Sequence, residues 1–194
     1  MLLAIYHVTA MNILGNCYRS HGNYDEAVSW HEKARKLLQQ QDQTPQQDVN
    51  VSTNLGFLSL DYYEKGCYED AIKLGLEALK IQRSHSPHPL DIATSEMWLG
   101  TYEIKAGRLE EARTYLQTSL SVLQDMVPTS RHTADCQFYL ATLFVAMKEA
   151  SRASLHVEKC LEIRKKIFPV GHSKIGEAEC LKQEIQRLNE NASY

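Results

Sequence analysis

Three acidic pairs carry the first hint of chemistry: Asp25–Glu26, Glu69–Asp70 and Glu110–Glu111. Two neighbouring carboxylates can divide the roles of general acid and general base when their surroundings separate their pKa values. These pairs, however, stand 44 and 41 residues apart, and an alanine follows each one: Ala27, Ala71, Ala112. A pattern that recurs along the chain argues for a structural duty. Acidic residues in the first turn of a helix interact favourably with its dipole by about 0.3–1 kcal/mol, which accounts for all three pairs at once. His85 and His88 lie three apart, with His132 and His172 at equivalent later places. A whole helical pair separates these places, so they are not expected to share a metal. Cys17, Cys67, Cys136, Cys160 and Cys180 make an odd set with no Cys-x-x-Cys spacing, as expected for reduced thiols in a cytoplasmic protein. The basic run Lys159, Arg164, Lys165, Lys166 suits a helix C-terminus; a docking surface for an acidic partner is the alternative. No nucleophile–base pairing, glycine-rich phosphate loop or metal-ligand spacing occurs in the sequence. The expectation is a chain that is not an enzyme and holds no cofactor and no metal.

The elements that position these residues repeat. Small residues open each second helix at Ala27, Ala71, Ala112 and Ala153, at intervals of 44, 41 and 41. Thirteen places earlier stands a leucine each time: Leu14, Leu58, Leu99, Leu140. A small residue follows it (Gly15, Ser59, Gly100, Ala141), then an aromatic position (Tyr18, Tyr62, Glu103, Phe144) and a turn (Gly22, Gly66, Gly107, Lys148). Seven residues past each alanine comes another small side chain: Ala34, Ala78, Ser119, Cys160. Apolar residues at i, i+3, i+4 and i+7 make one helix face, and small residues at fixed points let two backbones come close. One hairpin cannot bury its own face, so neighbours must stack.

The fold expected is therefore all-α: an α-solenoid of four helical hairpins plus a C-terminal capping helix, in a single array. The repeats span about 3–41, 49–83, 90–126 and 131–168, with the capping helix over 173–190. Asn23 is expected to cap its helix with Glu26 as capping-box partner. The Gln-rich stretch 39–48 reads as an exposed linker, and the Pro-containing stretch 84–89 as an exit loop. Repeat four is the least regular, because Lys148 stands where the turn glycine belongs; the register still places a turn there. Trp30 and Trp98 are expected in the core.

The spacing Leu-Gly-x-x-Tyr, then Gly-x-Tyr-x-x-Ala, then a second alanine resembles the tetratricopeptide repeat. The longer period and the stretches 88–94 (HPLDIAT) and 160–178 (CLEIRKKIFPVGHSKIGEA) are similar to the variety found in kinesin light chains. The resemblance covers nearly the whole chain. It implies a non-catalytic adaptor or scaffold that binds a partner peptide or helix in a concave groove, on the pattern of a kinesin-light-chain cargo adaptor. In that family, first-helix residues five and two before the key leucine, and two, five and six after it, face the groove. The resemblance thus implies Thr9, Asn12, Asn16, Arg19 and Ser20 in repeat one and Thr53, Gly56, Leu60, Tyr63 and Glu64 in repeat two. It implies Thr94, Met97, Thr101, Ile104 and Lys105 in repeat three and Asp135, Phe138, Thr142, Val145 and Ala146 in repeat four. Cations are few and scattered in this set, while Met97, Ile104, Phe138 and Val145 favour a partner with apolar anchors. The kinesin-light-chain family also places Asn beside the key leucine, where this chain has Ile13, Phe57, Trp98 and Tyr139.

The 194 residues carry a formal net charge of −3 with 43% hydrophobic residues. Near-neutral charge argues against a nucleic-acid surface, and no apolar run reaches the ~20 residues of a membrane span. The opening MLLAIYHVTAMNILG lacks the basic start of a signal peptide and reads as the first helix. With no polar cap before it, Leu2, Leu3 and Ile5 are expected at the surface, where they offer a route to self-association. A structural or self-associating segment of a longer repeat protein is the alternative function.

Overall fold

The computed structural model describes residues 2–41, 44–85 and 88–191, and its side chains from Ile5 onward, except that of Asn191. The described residues form nine helices and no strand: α1 (Leu2–Ser20), α2 (Tyr24–Gln39), α3 (Pro45–Glu64), α4 (Tyr68–His85), α5 (Pro89–Lys105), α6 (Leu109–Met126), α7 (Arg131–Ala146), α8 (Ala150–Ile167) and α9 (Ser173–Asn191). They divide into two compact units, Met1–Ser95 and Glu96–Tyr194. Within each unit, consecutive helices pack as hairpins, the arrangement of an α-solenoid.

The register read from the sequence is the register of the packing. Ala27, Ala71, Ala112 and Ala153 are all fully buried, and so are Leu58, Leu99 and Leu140. In the first unit Leu55, Leu58, Leu74 and Ala78 form one cluster, with Val28, Val51, Tyr62 and Ile81 against it. A neighbouring cluster joins Val8, Ala34 and Leu38. In the second unit Leu116, Leu123, Leu140, Ala141, Val157 and Cys160 are fully buried.

All four hairpin turns are built alike. Gly22 donates to the Arg19 carbonyl and Asn23 to that of Tyr18; Gly66 and Cys67 donate to Tyr63 and Tyr62. Gly107 and Arg108 donate to Ile104 and Glu103; Lys148 and Glu149 to Val145 and Phe144. These paired bonds are the Schellman ending of a helix, which needs a left-handed residue. Gly22, Gly66 and Gly107 supply it at φ 78°, 80° and 80°, and Lys148 adopts φ 61° in the same place. The turn expected at Lys148 is present. A side chain there costs roughly 1–2 kcal/mol relative to glycine, so Lys148→Gly is expected to stabilise the second unit by about 1 kcal/mol. Urea denaturation would show the gain as a higher midpoint; an unchanged or lower midpoint would contradict it.

Three expectations at element ends differ from the structure. Asn23 precedes α2 but makes no side-chain capping bond, because its backbone is committed to the Schellman turn at φ −88° and ψ 73°. The linker at 39–48 is shorter than expected: α3 begins at Pro45, a residue suited to the first helical position, behind a Thr44 side chain that accepts from the Gln47 N–H. Residues 42 and 43 of that linker, and Ser86 and Pro87 of the exit loop, lie outside the described residues. Neither tryptophan is a core residue. Both are half-buried, Trp30 beneath the Lys33 ammonium and Trp98 beside Tyr102 and Tyr139.

All five cysteines are free, with Cys17 and Cys180 exposed, Cys67 half-buried and Cys136 and Cys160 buried. Burial pushes the Cys136 thiol up to about 12 and the Cys160 thiol up to about 11. Thiolate is the reactive form. Iodoacetamide followed by mass spectrometry is therefore expected to label Cys17 and Cys180 first and Cys67 more slowly. Cys136 and Cys160 should react only in denaturant; their early labelling would refute the packing.

Candidate functional site

The first unit carries an open cavity of about 240 Å³ between α1 and α3, lined by Ile5, Val8, Thr9, Asn12, Ile13, Asn16, Asn50, Thr53 and Phe57. Four residues implied by the family resemblance converge on it: Thr9, Asn12, Asn16 and Thr53. Ile5, Val8, Ile13, Asn50 and Phe57 were not in that set. Ile13 and Phe57 had a visible signal, since both stand directly before the key leucine. The two threonine hydroxyls are turned onto their own helices, Thr9 donating to the Ile5 carbonyl and Thr53 to that of Val49.

Beneath the cavity lies a polar network that joins three helices. Asp61 and His31 are both fully buried, and His31 Nδ1–H donates to Asp61 Oδ2 over 2.5 Å. Arg19 Nη1 donates to Asp61 Oδ1 over 2.9 Å, and its Nη2 to Asn16 Oδ1 over 2.6 Å. Asn54, also fully buried, donates through Nδ2 to Asn12 Oδ1 over 3.0 Å and to the His31 carbonyl over 3.1 Å. The His31 ring stacks on Phe57 with centroids 5.3 Å apart. It fits because residue 15 is glycine: a Cβ there would overlap the imidazole. Arg19, implied as a groove cation, thus spends its charge internally and is absent from the cavity lining.

Leu60, Tyr63 and Thr94 are half-buried and do not line this cavity. Tyr63 lies 5.9 Å from Tyr68, centroid to centroid. Burial first, then Glu64 and Tyr68, raises the Tyr63 pKa above its usual value. Gly56 is half-buried, and Ser20 and Glu64 are exposed.

In the second unit the implied residues are less open. Met97 is 1% and Thr101 3% exposed, with the Thr101 hydroxyl donating to the Met97 carbonyl; neither presents appreciable surface to a ligand. Ile104, Phe138, Thr142 and Val145 are half-buried, and Lys105 and Ala146 exposed. Beside them Trp98 and Tyr139 meet with centroids 6.0 Å apart, and Phe138 meets Tyr139 at 5.9 Å. The resulting half-buried face is aromatic. Behind it the His156 Nδ1–H donates to Gln137 Oε1 over 2.7 Å, and burial, with Lys159 second, lowers the His156 pKa.

The basic run is not a uniform cationic surface. Arg164 is fully buried, bonded to Asp135 Oδ1 at 2.9 Å and the Lys174 carbonyl at 2.5 Å, with its guanidinium 4.7 Å from the Phe138 ring centroid. The acidic pairs occupy first turns of α2, α4 and α6. Asp25 pairs with Lys65, and Glu110 with Arg113. His85 lies 3.6 Å from Asp48 and His88 3.8 Å from Asp91. Among the described residues no cluster of three or more such groups could hold a metal, and no helix is long and apolar enough to cross a membrane.

Comparison with known proteins agrees with this geometry. A family model described as tetratricopeptide repeat matches residues 91–166, and a second of the same description matches residues 7–40. No curated protein sequence matches the chain. Among solved structures, the kinesin light chain nearly identical TPR-like repeats of Podosopora anserina superpose with a TM-score of 0.75 at 18% identity, over 95% of this chain and 87% of that one. BtubC (BKLC) of P. vanneervenii gives 0.71 at 18% identity, over 96% and 81%. The apo form of RapI gives 0.77 at 17% identity, over 95% and 64%. At such identities these likenesses speak for the fold alone. Family models over more than half of the sequence, and four hairpins with one register and one turn, establish that the chain belongs to the tetratricopeptide repeat family.

Proposed function

We propose that the chain is a non-catalytic adaptor of the cytoplasm that binds a segment of another protein on the first-helix face of its repeats. The observation that carries this reading is the cavity between α1 and α3, where Thr9, Asn12, Asn16 and Thr53 meet a floor of Ile5, Val8, Ile13 and Phe57. Apolar pockets with a few convergent polar groups are the usual form of a binding site, and grooves of this kind take side-chain anchors from an extended or helical partner. The half-buried aromatic face at Trp98, Phe138 and Tyr139 supports the same reading in the second unit. The five free thiols support a reducing compartment.

The test is selection from a displayed peptide library, followed by titration of the selected peptides. Micromolar binding, about −8 kcal/mol, is expected to weaken in Ile13→Asp and to survive Leu155→Asp, a change at an exposed site on α8. Equal affinity for both variants would remove this face from consideration.

A second reading, self-association through α1, has its own observation. Leu14 is 40% exposed, whereas Leu58, Leu99 and Leu140 at the same register are fully buried; Tyr6 and Ile13 are also open. Leu2 and Leu3 have side chains outside the described set. Light scattering at two concentrations separates the readings, because a strict monomer whose mass is also unchanged by Leu14→Glu discards self-association.

A further inference from the structure

The helix α1 carries a stripe that its counterparts bury. In the later repeats α2 packs on α3 and α6 on α7, and Leu58 and Leu140 are fully buried. At the same register Leu14 is 40% exposed, and Tyr6 is 69% exposed. Ala10, Cys17 and His21 are exposed as well. At 3.6 residues per turn these five residues form one stripe about 80° wide. Thr9, Asn12 and Asn16, on the cavity side, lie about 120° away around the helix, so an occupant of the stripe leaves the cavity open. The stripe is uncharged. Arg19 is the only Asp, Glu, Lys or Arg in α1, and it is bound to Asp61.

We infer that this stripe is closed by the same stripe of a second copy, with the two α1 helices antiparallel and crossing at Ala10. The inference rests on the self-association reading above and gives that reading its geometry. In a two-fold contact each residue meets its mirror image about the axis. Tyr6 and Leu14 stand four residues either side of Ala10, so Tyr6 of one copy meets Leu14 of the other, and Ala10 meets its own twin. The smallest side chain of the stripe then sits at the crossing, where the helix axes come nearest. A charge in the stripe would be set close to its own like charge, and the stripe holds none. A head-to-tail contact has no such match, because α9 exposes Glu179, Glu184, Arg187 and Glu190, and an apolar stripe would desolvate these charges without pairing them. One helix pair lies near the lower bound of about 1,000 Å² for a specific interface, so the dimer is a reversible one.

The experiment is sedimentation equilibrium of the full chain in reducing buffer, over about 1–200 µM, with an expected dissociation constant on the order of 10 µM. Ala10→Leu is the discriminating variant, and because residue 10 is exposed the fold tolerates it, as circular dichroism would verify. Simple apolar stickiness would make this larger residue tighten the dimer. A crossing at Ala10 makes it an overpacked contact, so dimerisation should weaken on the order of tenfold. Orientation is read by mild oxidation in a Cys17→Ser, Cys67→Ser, Cys180→Ser background. Chains with Tyr6→Cys should link to chains with Leu14→Cys in a mixture, and neither should link to itself. A dimer that tightens with Ala10→Leu, or that links Tyr6→Cys to itself, overturns this geometry while self-association stands. A strict monomer at every concentration overturns both and leaves the stripe to some other helix.

Discussion

Asp61→Ala is expected to destabilise the first unit by about 3–5 kcal/mol, the usual cost of removing one partner from a buried ionic network. Asp61 is fully buried and is the shared acceptor for His31, also fully buried, and for Arg19. Its removal strands the imidazole between α1 and α3 and opens a void that Gly15 cannot fill. Asp61→Asn keeps one acceptor for Arg19 and should lose less. The triple variant Asp61→Leu, His31→Phe and Arg19→Met should recover most of the loss, because apolar replacement of a whole buried ionic group is often neutral or better, and Phe57 already offers a ring to stack on. Urea denaturation gives the total, and hydrogen exchange over residues 5–85 locates it. A loss below about 1 kcal/mol for Asp61→Ala would show that the network contributes little to stability.

The fold was legible because helix pairing demands small residues at fixed intervals, and the chain meets that demand four times. Even the irregular turn at Lys148 followed from register, since the backbone bonds of a Schellman ending do not depend on the side chain. The polar groups were harder to read. His31 lies four residues past its opening alanine, where the other repeats have Gly75, Leu116 and Val157; Arg164 lies eleven past, where Leu38 and Leu123 are core residues. Both positions were thus marked as interior by the register. Yet His31 was not singled out, and Arg164 was read with its charged neighbours as part of a run. A polar residue at a core position of a repeat signals a buried network. What no pattern in one sequence supplies is its partner: Asp61 and Asp135 lie 30 and 29 positions away from His31 and Arg164. Of the groove positions that the family resemblance implies, Thr9, Asn12, Asn16 and Thr53 line the cavity. The resemblance could not show that Arg19 is turned away from it, because that depends on Asp61 lying within 2.9 Å.

Arg164→Ala is expected to destabilise the second unit by a comparable amount, about 3–5 kcal/mol, for a different mechanical reason. This guanidinium joins three helices: its own α8, α7 through Asp135, and α9 through the Lys174 carbonyl, with Glu177 3.9 Å away. Its plane also lies against Phe138. Alanine would remove all these contacts, including the bond to the Lys174 carbonyl that ties α8 to α9. The loss should appear first in α9, which packs mainly on α8; hydrogen exchange over 173–190 should accelerate before that over 131–146. Arg164→Lys tests the fork. An ammonium is a compact charge and cannot span two acceptors as a planar guanidinium does, so lysine should recover only part of the loss. Arg164→Leu with Asp135→Leu tests the register instead, since leucine occupies the equivalent place at Leu38 and Leu123. If that double variant is at least as stable as the parent chain, the ion pair acts as a specifier of how α9 docks and not as a source of net stability. Equal exchange rates in α9 for the parent and Arg164→Ala would refute the proposed link between the two helices.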